Sequence, residues 1–343
     1  MTQQFWDGVD GTRGQRIQAT IPCLLTGGRD AVVVATKDRH GNPLRSVIST
    51  ASGLVYTDPR PDQAWFKQFY RDKYRESYKG SATPVAKHTA RAAKVARNRI
   101  NELAEHIPAG SRVLDLGSGS GEFVYLGGKL GFDTVGVELD AAYAQFARDN
   151  YQVEIHSTDA ESLALPHESL DCITSFHVLE HIVDPLSLLK SMARFLRPGG
   201  IFRLEVPCVE TQHSTFRSRW HVGHLYHFNP ATFQAMAVRA GLVPTKVWTN
   251  EGSRVVHAIL TKPEVPHSEP IERILAGNFD RIWPQLDTQA TWSGWQVARS
   301  LDRFRSRIAR TLREKCECYG QTNRRQLVDD IVARASHPGS KAA

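Results

Sequence analysis

The chain has 343 residues, 41% of them hydrophobic, with five scattered cysteines and a formal net charge of +7. This length is long for one domain and short for three, so we expect a core domain with additions at both ends. The sequence shows no N-terminal apolar run and no apolar stretch of about twenty residues, so it predicts neither a signal peptide nor a membrane span. A reducing cytoplasm is the expected location. The positive charge by itself does not identify a nucleic-acid partner.

The N-terminal part of the chain is β-rich and is followed by helices. AVVVA (31–35) and PLRSVIS (43–49) predict strands. A helix is predicted over 62–80, where tyrosines four residues apart share one face. These tyrosines are Tyr70, Tyr74 and Tyr78. The next helix is predicted over 84–107, and the residues expected to face its core are Val95, Leu103 and Ile107.

A glycine-rich turn between two apolar strands is the most informative motif. RVLDLGSGSGEF (112–123) leads an apolar strand through Asp115 into a turn, and VGVELD (135–140) is a second strand that ends in Glu138. The turn glycines are Gly117, Gly119 and Gly121. Some of them are expected at positive φ, because a side chain there would keep a cofactor from the backbone. This unit holds an adenosyl group at the edge of a parallel sheet.

The spacing and charge of the motif argue against a dinucleotide. A dinucleotide fingerprint needs its third glycine at position 122, where this chain has Glu122. Carboxylates at Asp115 and Glu122 would repel a pyrophosphate, whereas they would attract a cofactor with an amino group and a sulfonium. The pocket therefore suits a cationic adenosyl cofactor.

The remaining pattern resembles the class I S-adenosylmethionine-dependent methyltransferases, small-molecule type. The matching segments after the glycine turn are STDAESLALP (157–166), a strand and loop over 169–185, a helix, turn and strand over 188–207, and two closing strands, GLVPTKVWTN and RVVHAILTK, expected as an antiparallel edge pair. The resemblance implies S-adenosyl-L-methionine as cofactor. It implies that Glu138 accepts hydrogen bonds from the ribose hydroxyls and that Asp159 accepts a hydrogen bond from the adenine amino group. The implied cofactor-binding set is Asp115, Gly117, Ser118, Gly119, Gly121, Glu138, Leu139, Asp159, Ala160, Phe176 and His177.

The same resemblance implies an α/β fold with a Rossmann-like, seven-stranded, doubly wound sheet. We expect a small β-rich N-terminal segment with its connecting helix (1–80), the methyltransferase domain (81–262) and a helical C-terminal extension (263–343). The N-terminal segment resembles the zinc ribbon that some family members carry. The four ligand positions are here Cys23, Thr26, Ser49 and Ser52. Hydroxyls are poor zinc ligands, so we expect the ribbon's shape without its metal, held by packing of Val32–Val34 against Val47 and Val55.

The transfer chemistry needs a positioned acceptor and a base. His177 follows the fourth strand and is the first candidate, with His224 in reserve; His177 can equally be a cofactor-pocket residue. Glu180 can cap or pair locally. Residues of the implied acceptor site are Tyr74, Tyr78, His181, His224, Tyr226 and His227. For the tyrosines, a helix that merely docks is an open alternative.

Histidines recur every three residues at His221, His224 and His227. The spacing differs from that of a helical zinc site, and Gly223 and Pro230 interrupt the segment, so we expect a hydrogen-bonding wall and no metal.

Past Lys262 the chain departs from the family's core. Prolines predict a linker, and a tryptophan-rich stretch (283–295) precedes a helix with an apolar stripe over 301–312. A dimerising or docking helix is favoured there over a nucleic-acid or membrane element, so a homodimer through the C-terminal helices is expected.

The sequence thus predicts a cytoplasmic methyltransferase acting on a small molecule, most simply a hydroxyl of a sugar or secondary metabolite. Two alternatives stay open. One is an RNA methyltransferase, which the basic charge favours and the absence of a recognisable RNA-binding module disfavours. The other is an inactive cofactor-binding scaffold.

Overall fold

The structure is a computed structural model. It describes residues 6, 9, 11–69, 83–211, 214–250, 252, 254–266, 269–291 and 323–336. Tyr70, Tyr74, Tyr78, Trp292, Trp295 and the predicted apolar stripe over 301–312 lie outside the described residues. Within the described part, no helix is long and apolar enough to cross a membrane.

The strands form two sheets. In chain order they are β1 (Arg16–Gln18), β2 (Asp30–Lys37), β3 (Pro43–Ser49), β4 (Val55–Thr57), β5 (Arg112–Leu116), β6 (Asp133–Val137), β7 (Ile155–His156), β8 (Leu170–Phe176), β9 (Leu196–Pro207), β10 (Tyr226–His227), β11 (Val243–Thr249) and β12 (Val255–Thr261). The first sheet has the order β1-β2-β3-β4-β10, and the second has the order β11-β12-β9-β8-β5-β6-β7.

Four of the α-helices in the described residues lie between strands of the second sheet along the chain. In chain order, the α-helices are α1 (Gln63–Phe69), α2 (Ala86–Leu103), α3 (Glu122–Lys129), α4 (Ala141–Tyr151), α5 (Pro185–Ala193), α6 (Pro230–Arg239), α7 (Ile271–Leu275), α8 (Asn278–Thr291) and α9 (Arg324–Ser336). Strands β5, β6 and β7 are parallel, while β9, β12 and β11 are antiparallel. The predicted seven-stranded Rossmann-like α/β fold is confirmed, as is the antiparallel edge pair.

The chain divides into two compact units. The first consists of residues 1–67 and 175–296, and the second of residues 68–174 and 297–343. The sequence predicts different boundaries, at 1–80, 81–262 and 263–343, and these stay a prediction.

The core of the first unit lies on the N-terminal sheet. Val33 pairs with Val47 across β2 and β3, and both are buried. One apolar cluster joins the sheet to α8, and it includes Val32, Val34, Ile48, Val55, Trp220, Ile282 and Leu286. Val32, Val34 and Val55 thus share one apolar cluster, while Val33 and Val47 form a separate buried pair.

Two of the four ribbon positions meet in the first unit. Cys23 Sγ lies 3.2 Å from Ser52 Oγ, and both residues are buried. Thr26 is exposed, and its hydroxyl accepts a hydrogen bond from the Gly28 N–H at 3.4 Å. The zinc-ribbon resemblance itself stays a prediction.

A buried amide network stands beside this contact. Asn278 Nδ2 donates to the Ser52 carbonyl at 2.8 Å, and Asn278 Oδ1 accepts from Asn229 Nδ2 at 2.8 Å. A Cβ at Gly53, which has φ +71°, would lie 2.6 Å from Asn278 Nδ2. Because Asn229 is the N-cap of α6, the network ties α6 and the start of α8 to the turn before β4.

The second unit packs α2 through small residues. Ala90, Ala93 and Ala96 are buried, together with Ile100 and Leu103, and α9 contacts the same helix. Leu103 and Ile107 are buried as predicted, but the expectation for Val95 is wrong, since it is 45% exposed. The alanine positions set the buried face of the helix, and Val95 lies outside it.

We predict that Asn278→Ala lowers the free energy of unfolding by about 1–3 kcal/mol, because the Ser52 carbonyl and the Asn229 amide lose their buried partner. Urea denaturation measures the change. Asn101→Ala, on the exposed side of α2, is the matched control and should change stability by only a few tenths of a kcal/mol. Equal effects of the two substitutions would contradict a stabilising network.

Candidate functional site

The glycines in the turn of the second unit adopt the positive φ values that the motif predicts. Gly117, Gly119 and Gly121 have φ values of +72°, +57° and +86°. A Cβ on Gly121 would lie 2.6 Å from the Ala147 Cβ, so α3 can begin against α4 only with glycine there. The turn therefore exposes backbone where a side chain would otherwise stand.

Glu138 is held at the end of β6 by two backbone donors. Its Oε2 accepts from the Gly119 N–H at 2.8 Å, and its Oε1 accepts from the Asp140 N–H at 2.9 Å. The residue is 5% exposed. These two donors, one on each oxygen, fix the plane of the carboxylate. This orientation suits hydroxyl groups that donate in pairs.

Asp115 is buried at the end of β5. Its Oδ1 accepts a hydrogen bond from the Thr174 hydroxyl at 2.6 Å. Burial raises the pKa of Asp115 to about 7, against a smaller lowering by the Thr174 hydrogen bond. Thr174 was missed from the sequence, because nothing in a β-strand pattern marks which hydroxyl faces a carboxylate on a neighbouring strand.

Glu122 has a structural role in the second unit. Its Oε2 accepts from the Ser120 hydroxyl at 2.6 Å and its Oε1 from the Tyr151 hydroxyl at 3.2 Å. The side chain is buried, so these hydroxyls satisfy the charge inside the packing of α3 and α4.

The other predicted cofactor residues of this unit lie at the ends of β6 and β7. Asp159 caps a short 3-10 helix (Ala160–Ser162), its Oδ1 accepting from the Ser162 N–H at 2.8 Å. Leu139 is half-buried beside Glu138. The Ser118 hydroxyl, in the glycine turn, is buried and makes no hydrogen bond within the described residues.

The first unit holds the histidines. His177 follows β8 with φ +60°, an uncommon conformation for a residue with a Cβ. Its N–H donates to the Glu205 carbonyl at 2.8 Å, which keeps the backbone in place. The side chain is 43% exposed, and Nδ1 lies 3.6 Å from Glu180 Oε1. Such outliers are common at functional sites.

Glu180 lies under this histidine in a short 3-10 helix (Leu179–His181). It is 1% exposed, and within the described residues neither carboxylate oxygen accepts a hydrogen bond. His181 Nε2 lies 3.7 Å from Glu180 Oε1, and His181 Nδ1 lies 2.6 Å from the Gly223 carbonyl. The sequence predicts that Glu180 can cap a helix or pair with a neighbouring residue.

The segment 221–227 is anchored to the strands around it. The Leu225 N–H donates to the Glu180 carbonyl at 2.8 Å, and the Thr57 N–H donates to the Leu225 carbonyl at 3.0 Å. The Thr57 hydroxyl also donates to the His224 carbonyl at 3.2 Å. The His224 ring centroid is thereby held 4.9 Å from that of His181.

Burial governs the charge of these rings. It lowers the pKa of His227 to about 3 and that of His224 well below its usual value, and His221 and His181 lower the latter further. The rings are therefore neutral near pH 7.

Tyr226 is engaged by Arg60, which the sequence did not single out. Arg60 Nη2 donates to the Tyr226 hydroxyl at 2.7 Å, and that hydroxyl donates to the Val183 carbonyl at 3.1 Å. The guanidinium carbon also lies 4.7 Å from the Tyr226 ring centroid. The tyrosine ring is buried, so an acceptor would meet it only after a change in this network.

The predicted site residues thus form two groups. The second unit contains Asp115, Gly117, Ser118, Gly119, Gly121, Glu138, Leu139, Asp159 and Ala160, and the first contains Phe176, His177, His181, His224, Tyr226 and His227. The roles assigned to these residues stay predictions, as do those of Tyr74 and Tyr78.

Comparisons with known proteins match part of this chain to methyltransferases. Residues 87–247 match the family model described as "Methyltransferase domain". A ubiquinone biosynthesis O-methyltransferase of Ruegeria pomeroyi is 34% identical over 98 residues, which are 27% of this chain and 40% of that protein. A probable S-adenosylmethionine-dependent methyltransferase of Mycolicibacterium smegmatis is 33% identical over 103 residues, 30% of this chain and 40% of that protein. The chain thus spans less than half the length of these relatives.

Among solved structures, a Burkholderia thailandensis 1,6-didemethyltoxoflavin-N1-methyltransferase with bound S-adenosylhomocysteine is similar with a TM-score of 0.49. It is 16% identical, and the match covers 63% of this chain and 98% of that chain.

A Rossmann-like sheet whose glycine turn is tied to an acid-tipped second strand defines an adenosyl-cofactor protein. Together with the family match, it shows that the chain carries a methyltransferase domain of the class I, S-adenosylmethionine-dependent family.

We predict that Asp115→Asn stabilises the ligand-free protein at pH 8 and that this gain shrinks toward pH 5. The folded state binds the Asp115 proton more tightly than the unfolded state does, so stability is lost as pH rises from about 4 to the pKa of about 7. Asparagine keeps an acceptor for Thr174 without the buried charge. Thermal unfolding at both pH values measures the gain, expected to be a few degrees at pH 8.

Asp133→Asn, an exposed carboxylate at the start of β6, is the control, and it should show little pH-dependent gain. A gain from Asp115→Asn that is the same at pH 5 and pH 8 would argue against the raised pKa.

Proposed function

We propose that the protein transfers the methyl group of S-adenosylmethionine to a hydroxyl of a small-molecule acceptor, a sugar or a secondary metabolite. The observation that carries the proposal is the Glu138 carboxylate, fixed by the Gly119 and Asp140 N–H groups beside the glycine turn. The names of the ubiquinone biosynthesis relatives, which are O-methyltransferases, favour oxygen as the acceptor atom.

The residues of the second unit fit the cofactor. Glu138 would accept hydrogen bonds from two ribose hydroxyls, and Asp115 would attract the amino group of the methionine portion. The unpaired Ser118 hydroxyl offers a further polar contact. Asp159 would accept a hydrogen bond from the adenine amino group.

The cofactor supplies a methyl group activated by a sulfonium. In the transfer, a new O–CH3 bond forms as the S–CH3 bond breaks, and the electron pair of that bond stays on sulfur. The acceptor's hydroxyl proton goes to the base, for which we propose His177. Its half-exposed ring and the neighbouring Glu180 carboxylate support this choice, because the carboxylate stabilises an imidazolium. His224, the reserve candidate, is a weaker base because burial lowers its pKa.

The wider setting belongs to the same proposal. A cytoplasmic location is consistent with Cys23, Cys172 and Cys208, the free cysteines of the described residues, all of which are buried. The expected homodimer through the C-terminal helices and the absence of a nucleic-acid partner stay predictions. RNA methylation and an inactive scaffold are outcomes that the experiments below distinguish.

We predict micromolar binding of S-adenosylhomocysteine to the purified protein by calorimetry, after carried-over ligand is removed. Asp115→Ala and Glu138→Gln should each weaken the affinity by roughly 10- to 100-fold, since each removes a charge-assisted hydrogen bond. Asp133→Asn is the matched carboxylate control and should leave the affinity unchanged.

Absence of binding by the folded protein would overturn the methyltransferase proposal. Binding without turnover over a panel of hydroxylated acceptors and RNAs would leave the scaffold. Salt-sensitive methylation of RNA would establish the nucleic-acid alternative.

We predict that His177→Asn lowers kcat by about 100-fold or more with an acceptor found in that panel, because the base is lost. Asparagine tolerates the positive φ at this position, so the backbone is preserved. His106→Asn, an exposed histidine after α2, is the control; an unchanged kcat in the His177 variant would exclude it as the base.

A further inference from the structure

A buried carboxylate without a hydrogen-bond partner needs a physical explanation. Glu180 is 1% exposed, and neither of its oxygens accepts a hydrogen bond within the described residues. Its near polar neighbours are His177 Nδ1 at 3.6 Å and His181 Nε2 at 3.7 Å, both beyond hydrogen-bond distance. A buried charge is ordinarily compensated by a hydrogen bond, an ion pair or a metal ion.

The hydrogen bond on the far side of His181 determines which nitrogen faces Glu180. Nδ1 lies 2.6 Å from the Gly223 carbonyl, and a carbonyl can only accept, so Nδ1 carries the proton. In the neutral ring, Nε2 then presents a lone pair toward the carboxylate. Two lone-pair donors that face each other repel unless a cation lies between them.

His224 completes the group. Ligand atoms of Glu180, His181 and His224 all lie within 4.8 Å of one another. Among the described residues, these three form the group of His, Cys, Asp or Glu side chains that are close enough to share a metal ion. Backbone hydrogen bonds from Leu225 to Glu180 and from Thr57 to Leu225 hold the segment against the 3-10 helix.

We propose that Glu180, His181 and His224 bind a divalent transition-metal ion. Two imidazoles with one carboxylate form the donor set of catalytic zinc sites and of non-haem iron sites. The Gly223 carbonyl supplies the outer hydrogen bond that a metal-bound histidine almost always makes. This assignment replaces the expectation of a metal-free histidine wall.

The three ligand atoms lie within 4.8 Å of one another, so the site must contract around its ion. Two ligand atoms that are each about 2.1 Å from a tetrahedral metal lie about 3.4 Å apart. The Glu180–His181 separation of 3.7 Å is a few tenths of an ångström longer. His177, half-exposed and 3.6 Å from the same carboxylate, is outside this set and is left to act as the base.

Metal binding does not depend on the proposed methyl transfer, but it deepens that proposal. An acceptor hydroxyl in the open position would lose its proton more readily on a divalent ion. Acceptors with two adjacent oxygens, such as catechols or vicinal diols, would then be favoured because they chelate.

Cobalt titration of the full chain tests the site directly. After treatment with a chelator and dialysis, Co²⁺ should bind at one ion per chain and give visible d–d absorption. Glu180→Gln and His181→Asn should each weaken Co²⁺ binding by about 100-fold or more, since even outer-shell changes cost 10- to 100-fold. In His181→Asn, the side-chain amide can still donate to the Gly223 carbonyl.

Glu154→Gln is the matched control. Glu154 Oε1 lies 3.2 Å from His156 Nε2 on the exposed surface, so it reports adventitious binding to a carboxylate–histidine pair. The proposal would be overturned if Glu180→Gln left Co²⁺ binding unchanged. It would also be overturned if Glu154→Gln weakened Co²⁺ binding as much as Glu180→Gln does.

Thermal unfolding provides a readout that does not require activity. Zn²⁺ should raise the unfolding midpoint of the wild-type chain and leave that of Glu180→Gln unchanged, because ligand binding stabilises only a folded protein with an intact site. S-adenosylhomocysteine calorimetry on the same samples separates the two proposals. Metal binding without cofactor binding would overturn only the methyl transfer, and the reverse result would overturn only the metal site.

Discussion

The cofactor region depends on one interaction. The Glu138 carboxylate accepts hydrogen bonds from the Gly119 and Asp140 N–H groups. It ties the turn after β5 to the end of β6 and fixes the direction of a buried charge. The turn can approach the carboxylate because its glycines adopt positive φ values. A side chain at Gly121 would collide with Ala147 and displace α3 from α4. Backbone geometry and electrostatics therefore specify the same pocket.

Buried carboxylates recur in the chain, and their surroundings assign them different roles. Hydroxyls of Ser120 and Tyr151 satisfy Glu122, which supports helix packing. Asp115 has one hydroxyl partner, and its pKa is raised. Glu180 has histidines beyond hydrogen-bond distance. The less a buried charge is satisfied by the protein itself, the more it points to a ligand.

The first unit shows how a segment that resembles a zinc ribbon can be stabilised by other means. Cys23 and Ser52 meet at 3.2 Å, while Asn278 bonds to the backbone of Ser52 and to Asn229. Valines of β2 and β4 and Ile48 of β3 form a core with Trp220 and α8. Hydrophobic burial and a satisfied amide network supply stability over a wider area than a single ion does.

The sequence by itself determined the Rossmann-like sheet, the glycine turn and the acid at Glu138, because these depend on local spacing and on the two-residue period of strands. It misplaced Val95, since a helix built on alanines buries a face that hydrophobicity alone does not mark. Only the tertiary structure decided the partners of Asp115, Glu180 and His224, which are brought together by segments far apart in the chain. Spacing along the chain argues against a metal at His221, His224 and His227, whereas the approach of His181 and His224 to Glu180 depends on the fold.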